Sequence, residues 1–201
     1  MKVIGITGGV GSGKTKLLQY LAARFNCRIL LADEAAGKLQ EPGGVCYTGI
    51  VELLGEGILM PDGSIDRHAM AERIFRDETL LAAVNGLVHP AVRAYILRQI
   101  DEERQRGSVD FFFLEAALLI ECGYDAIVDE MWYVYADVEQ RRKRLRAGRG
   151  YSDEKIDSIL AAQMSDQDYR SQCDFVLDNS RDVTYAYDQI DKKMGENLWK
   201  K

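Results

Sequence analysis

Gly8-Gly9-Val10-Gly11-Ser12-Gly13-Lys14-Thr15 is the stretch that decides the reading of this chain. It satisfies G-x-x-x-x-G-K-[ST], and its surroundings are the right ones. The apolar run Lys2–Thr7 leads into it as a strand, and Lys14–Phe25 follows with Leu17, Leu18, Leu21 and Phe25 at helical spacing. Each part of the loop has a physical task. Gly9, Gly11 and Gly13, with Val10 and Ser12 between them, let successive amide N–H groups converge on phosphate oxygens. The positive end of the following helix points at the same anion. Lys14 reaches the β- and γ-phosphates, and the Thr15 hydroxyl is a hard oxygen ligand for Mg²⁺. A ligand-free glycine turn would not require lysine and threonine together at the first helical turn. The loop therefore reads as a nucleoside triphosphate site. No Asn-Lys-x-Asp for reading guanine accompanies it.

Working outward, Arg28–Ala32, Asp110–Leu114, Met131–Ala136 and Phe175–Leu177 are further β-rich runs. Most are continuously apolar, as strands covered on both faces of a parallel sheet are. Helical patterns over Glu139–Ala147, Asp153–Met164 and Val183–Leu198 alternate with them, and Ser152 with Asp153 and Glu154 supplies a helix start. The alternation predicts a three-layer α/β fold around a five-stranded parallel sheet. About 75 residues separate the second strand from the third, more than one crossover helix needs. Turn signals at Glu41-Pro42-Gly43-Gly44 and Pro61-Asp62-Gly63 and amphipathic segments at Ala69–Phe75, Thr79–Leu87 and Ala91–Arg104 make this a helical insertion. The expected organisation is one domain over 1–201, with an insertion at 40–106 on the acceptor side and a lid at 139–152.

Composition sets the boundaries. The 201 residues are 47% hydrophobic and 29% charged, with 3 Pro, as a globular chain requires. A chain of this length buries about 70% of its unfolded surface and needs no staple. The formal charge of −6 disfavours broad binding to nucleic acid. No uninterrupted run of 18 apolar residues predicts a membrane span, and the N-terminal apolar run is too short for a signal peptide. Cys27, Cys46, Cys122 and Cys173 form no C-x-x-C pair and are expected as free thiols in a reducing cytoplasm.

Ligands of open parallel sheets sit beyond the carboxyl ends of the strands. Asp33 follows the second strand, where it either accepts a hydroxyl proton in phosphoryl transfer or caps the next helix. Glu115 follows the third strand and either steadies Mg²⁺ or its waters, or forms a cap or salt bridge. Arg141, Arg142, Lys143, Arg144, Arg146 and Arg149 crowd one segment after the fourth strand. They read as a lid for ATP phosphates, as a nucleic-acid patch lacking interleaved aromatics, or as a solvated helix face. Helical geometry forbids all six from facing one ligand. Arg144 and Arg149 are the candidates, from their positions at the helix end and in a glycine-flanked loop.

Beyond the phosphate loop, an ordered set of motifs resembles the dephospho-CoA kinase family. Ile6-Thr7-Gly8-Gly9 opens it; Glu41-Pro42-Gly43-Gly44, Leu54-Gly55-Glu56, Asp62-Gly63-Ser64-Ile65-Asp66-Arg67, Ile74-Phe75, Asn85 and His89-Pro90 follow in the insertion. Leu118-Leu119 with Glu121, the arginine-rich segment, Ala162-Gln163 and Asp178-Asn179 complete it, over roughly residues 3 to 180. The resemblance implies an ATP-dependent, magnesium-using kinase that moves the γ-phosphoryl group to the ribose 3′-hydroxyl of dephospho-CoA. It implies Asp33 as base or hydroxyl-orienting group, Asn179 near adenine, and His89 and Glu121 as acceptor-side candidates. His89 also has a structural reading, since a residue before proline is pushed extended and an imidazole there can tie a loop to a helix. The sequence departs from the family pattern at Leu31, Lys16, Glu115, Ala117 and Gly148, where Asp, Thr, Asp, Pro and a lid Arg are usual. A kinase for another hydroxylated acceptor and a nucleotide-binding regulator without turnover are the other functions this sequence allows.

Overall fold

The computed structural model describes residues 1–198. A five-stranded parallel sheet runs in the order β2-β3-β1-β4-β5, with β1 at Lys2–Thr7, β2 at Cys27–Leu31, β3 at Phe111–Glu115, β4 at Glu130–Tyr135 and β5 at Phe175–Asp178. β1 pairs β3 with Ile6 opposite Glu115, and pairs β4 with Thr7 opposite Tyr133. The central strands are buried almost throughout, and Phe112, Phe113 and Trp132 are fully buried. Their side chains leave both faces of the sheet, so both faces must be covered. β1 hands over toward β2 and β4 hands over toward β5, in opposite directions along the sheet. Right-handed crossovers then put the intervening helices on opposite faces, and the crevice between β1 and β4 opens at their carboxyl ends.

Two compact units divide the chain. The first comprises Met1–Ile29 and Gly107–Lys201. In it, α1 (Lys14–Arg24) packs on α9 (Val183–Leu198) through Tyr20, which stacks on Tyr187 at 3.9 Å and donates its hydroxyl to Asp191. After β4 come α6 (Val138–Arg149), α7 (Asp153–Ala161) and α8 (Asp166–Gln172). The sequence predicts one helix over Asp153–Met164; the structure ends α7 at Ala161 and restarts at Ser165. Ser165 accepts from the Asp168 amide as Ser152 accepts from Lys155, so each helix has its own cap. α8 is held to β4 by Tyr169 stacked on Tyr133, centroids 4.5 Å apart. All four cysteines are free.

The second unit, Leu30–Arg106, contains α2 (Ala32–Leu39), α3 (Tyr47–Leu54), α4 (Arg67–Phe75) and α5 (Glu78–Arg106). Here a sequence expectation fails. The sequence predicts two helices, Thr79–Leu87 and Ala91–Arg104, with His89 pushed extended between them; the structure runs α5 straight through Pro90. Pro90 lacks an N–H, and a proline in a helix interior costs about 3 kcal/mol. Against that, Val84, Val88, Val92, Ile96 and Ile100 recur every four residues, are all buried, and lie on a helix that packs against α2, α3 and α4. Burial of each such side chain contributes about 1.5–3 kcal/mol, so the stripe outweighs the proline. By length and composition alone α5 meets the measure of a membrane-spanning helix, with a mean hydropathy of 1.4 in its most apolar window.

Candidate phosphate-binding and phosphoryl-transfer site

The phosphate loop occupies the turn between β1 and α1 and lies tight against the sheet. Gly8 has φ +147°, and a Cβ there would fall 2.5 Å from the Val134 carbonyl oxygen of β4. Only glycine permits both that angle and that approach. Gly13 has φ +93° and meets Asn179 in the same way, with a Cβ position 2.4 Å from Asn179 Nδ2. The Lys14 ammonium donates to the Gly8 carbonyl at 2.5 Å and lies 3.6 Å from Glu115 Oε1. Both side chains are mostly shielded, so the lysine charge and the strand-end carboxylate are held beside the loop. Thr15 and Lys16 are exposed on the first turn of α1.

The far side of the loop is braced by arginine. Arg141 Nε donates to the Val10 carbonyl at 2.9 Å, and its Nη2 donates to Gln163. Arg144 Nη1 donates to the Ser12 carbonyl at 2.9 Å, and its Nη2 donates to the Asn179 carbonyl at 2.8 Å. Asn179 Nδ2 also donates to Ser12, at 2.7 Å. Burial lowers the pKa of both guanidinium groups from the ordinary arginine value, and they remain charged. Carbonyls of the loop therefore point at fixed positive charge. This fixes the peptide planes before any anion arrives.

Helix geometry sorts the basic segment. Arg141 and Arg144, three residues apart, share the face toward the loop. Arg142 and Arg146, four apart, turn to α7 and pair with Asp157 and Asp153. Arg149 is exposed at the end of α6, with its guanidinium 5.9 Å from the Tyr151 ring centroid. The structure thus brings Arg144 to the loop and leaves Arg149 outside it. Arg141 belongs to the basic segment but not to the two candidates the sequence singles out; its i, i+3 relation to Arg144 is the signal that places it on the same face.

The remaining candidates fall as follows. Asp33 lies in the first turn of α2, two residues beyond the end of β2, and is exposed. α2 begins at Ala32 with Leu31 as its N-cap, so Asp33 lies inside the first turn and is not the cap of a helix starting at Glu34. Asn179 is buried, and its amide nitrogen is committed to Ser12. Glu121 is exposed in the segment after β3, close enough to Tyr169 that its charge helps raise that phenol, whose main perturbation is burial. His89 is exposed in the middle of α5. Among the described residues no group of three or more His, Cys, Asp or Glu could hold a metal ion. The Thr15 hydroxyl and the Glu115 carboxylate are nevertheless hard oxygens of the kind Mg²⁺ takes when most of its shell is water and phosphate.

Comparison with known proteins agrees with this geometry. A family model described as dephospho-CoA kinase matches residues 2–184. A dephospho-CoA kinase of Symbiobacterium thermophilum is 36% identical over 95% of this chain and 79% of its own length. One from Geobacter sulfurreducens is 35% identical over 100% of this chain and 98% of its own. Among solved structures, TT1252 from Thermus thermophilus superposes with a TM-score of 0.80 at 30% identity, covering 97% of each chain. The match runs from the first strand through the insertion to the loop that bears Asn179, and on that ground the chain belongs to the dephospho-CoA kinase family.

Proposed function

We propose that this protein transfers the γ-phosphoryl group of ATP to the ribose 3′-hydroxyl of dephospho-CoA, giving ADP and CoA. One observation carries the reading: a chain matching this family over residues 2–184 keeps a phosphate loop whose lysine, strand-end carboxylate and bracing arginines are all in place. The loop amides and the α1 N-terminus bind the polyphosphate, and Lys14 moves from the Gly8 carbonyl to the β- and γ-oxygens. Asp33 orients the acceptor hydroxyl and takes its proton as the new O–P bond forms and the bond to the β-phosphate oxygen breaks. Thr15 and Glu115, directly or through water, are the residues that would hold Mg²⁺, which supplies charge neutralisation on the phosphates. Residues 40–106 serve the acceptor side, and 139–152 form the lid. Free thiols at all four cysteines support a cytoplasmic setting.

The test supplies ATP, Mg²⁺ and dephospho-CoA and measures ADP and CoA. Asp33→Asn is expected to keep ATP affinity and to lose rate by about 10²–10⁴-fold. An unchanged rate excludes Asp33 as the base. Tight ATP binding without turnover for any hydroxylated acceptor replaces this reading with that of a nucleotide-binding regulator.

A further inference from the structure

α8 is seven residues long, and Tyr169 is its buried side chain. The tyrosines of β4 seat it. Tyr169 stacks on Tyr133 with centroids 4.5 Å apart and planes 10° from parallel. Arg170 pairs with Asp166 at 2.7 Å while its guanidinium lies 4.7 Å from the Tyr135 ring centroid. Burial raises the pKa of both stacked phenols, and the Arg141 charge opposes the rise in each, so that guanidinium lies near the stack. Its hydrogen bonds tie two segments together. Nη2 donates to Gln163, in the turn between α7 and α8, and Nε donates to the Val10 carbonyl at 2.9 Å. Gly9 makes room for both partners: a Cβ there would strike the Arg141 guanidinium and the Gln163 amide oxygen. The Val10 carbonyl and the Gly11 N–H belong to one planar peptide unit, so fixing the first aims the second. Lys14, the residue that reaches the γ-phosphate, rests on the Gly8 carbonyl and marks this end of the loop as the one that meets it. Arg144 braces the other end, at Ser12.

We propose that Tyr169 is a positioning residue for phosphoryl transfer: stacked on Tyr133 it seats α8, and by way of Gln163 it holds Arg141 against the γ-phosphate end of the loop. This rests on the phosphoryl-transfer reading above. The Tyr169 amide donates to the Ser165 carbonyl at 3.1 Å, and Gln163 precedes Ser165 by two residues. A turn residue takes its place from the helices on either side. α7 is tied to α6 by the exposed pairs of Arg142 with Asp157 and Arg146 with Asp153, and exposed pairs contribute little. The buried stack is the firmer anchor, because aromatic pairs add to the stabilisation that burial itself gives. An arginine held by one acceptor on the loop and another on the α7–α8 turn is fixed in two directions. Without the second, its planar donors swing and the Val10 peptide is free to turn. A misaimed Gly11 N–H harms ATP more than ADP, because only ATP brings the phosphate that this end of the loop meets.

The experiment compares wild type with Tyr169→Leu, Tyr169→Phe, Arg141→Met and the double variant Tyr169→Leu with Arg141→Met. Calorimetry reads ATP and ADP binding, and initial rates read kcat and both KM values. Tyr169→Leu is expected to weaken ATP and to lower kcat by about tenfold each, the scale of one charge-assisted hydrogen bond. ADP affinity should stay within about threefold, and the KM for dephospho-CoA should not move. Tyr169→Phe keeps the stacked ring and should recover most of the loss. If Tyr169 acts by way of Arg141, then Tyr169→Leu should cost less than about threefold more once Arg141 is already Met. Additive losses, equal weakening of ATP and ADP, or unchanged ATP binding in Tyr169→Leu overturns the proposal. Should Tyr169→Leu fail to fold, Gln163→Leu decides, since it leaves the stack intact and removes the acceptor of Arg141. It should show the same ATP-selective loss, and unchanged ATP affinity in it overturns the proposal. Absence of turnover of dephospho-CoA by wild type would instead strike the parent reading, and the ATP and ADP affinities would still decide Tyr169.

Discussion

Replacing Arg144 by Met separates two roles that an arginine beside a phosphate loop can have. Methionine keeps an apolar stem of similar length and removes the guanidinium. Two hydrogen bonds disappear, to the Ser12 carbonyl at 2.9 Å and to the Asn179 carbonyl at 2.8 Å; the 3.4 Å approach to Gly11 is too long to add much. A hydrogen bond from a charged donor contributes about 1.5–3 kcal/mol. The guanidinium is only part-buried, which favours the low end for each. Ser12 also keeps its bond from Asn179 at 2.7 Å, whereas the Asn179 carbonyl loses the arginine. The total is about 2–3 kcal/mol, equivalent to about 30- to 150-fold in an equilibrium constant. Arg144 touches loop carbonyls, so this loss should appear as weaker ATP binding and a higher KM for ATP. The KM for the acceptor should not move, and kcat at saturating ATP should fall less than tenfold. Arg144→Lys offers one point charge for two carbonyls and should recover less than half of the loss. Calorimetry with ATP, together with initial rates over a grid of both substrates, measures all of this. Intact ATP affinity with a kcat reduced a hundredfold would refute the bracing argument and place the arginine on the transferring phosphoryl group.

Gly13→Ala puts a methyl 2.4 Å from Asn179 Nδ2 at a φ of +93°, so ATP affinity should drop by at least about tenfold while the fold persists; unaltered binding in a titration would show that the turn relaxes freely. Away from the site, Glu130 is buried between Lys2, Lys193 and the Trp132 indole. Burial alone would raise its pKa, but the hydrogen bonds from both lysines and the indole together outweigh burial and hold the carboxyl below the ordinary 4.5. A depressed carboxyl pKa stabilises the fold fully above the unfolded value, and the contribution is lost as pH falls through the folded one. Chemical denaturation from pH 7 down to 3 should therefore show a steeper acid loss in wild type than in Glu130→Gln. Parallel curves would contradict the assignment.

Much of this architecture is written locally. The phosphate loop is legible because its angles and its anion-binding amides belong to eight consecutive residues. The strands are legible because continuous apolar runs such as Phe111–Leu114 have few other uses in a chain of this length. Where competing tendencies meet, the sequence misleads. Pro90 is a local breaker, and nothing near it reveals that a buried stripe from Val84 to Ile100 will carry the helix across. α8 is short and polar and holds its place partly through Tyr169 on Tyr133, a contact made across 36 residues of chain. Asp33 could be placed beyond a strand end but not distinguished from a helix cap, because that depends on where α2 starts.

Charge shows the division most clearly. The sequence alone established that this chain carries a triphosphate loop, a carboxylate after the second strand and a cluster of six basic residues after the fourth. Only the tertiary structure decided what that cluster does. Two arginines brace the loop carbonyls, two pair with α7, and Arg149 stays at the surface over Tyr151. Backbone conformation and helix phase are fixed by neighbours along the chain, but the partner of a long flexible cation is set by whichever carbonyl or carboxylate the fold brings within reach.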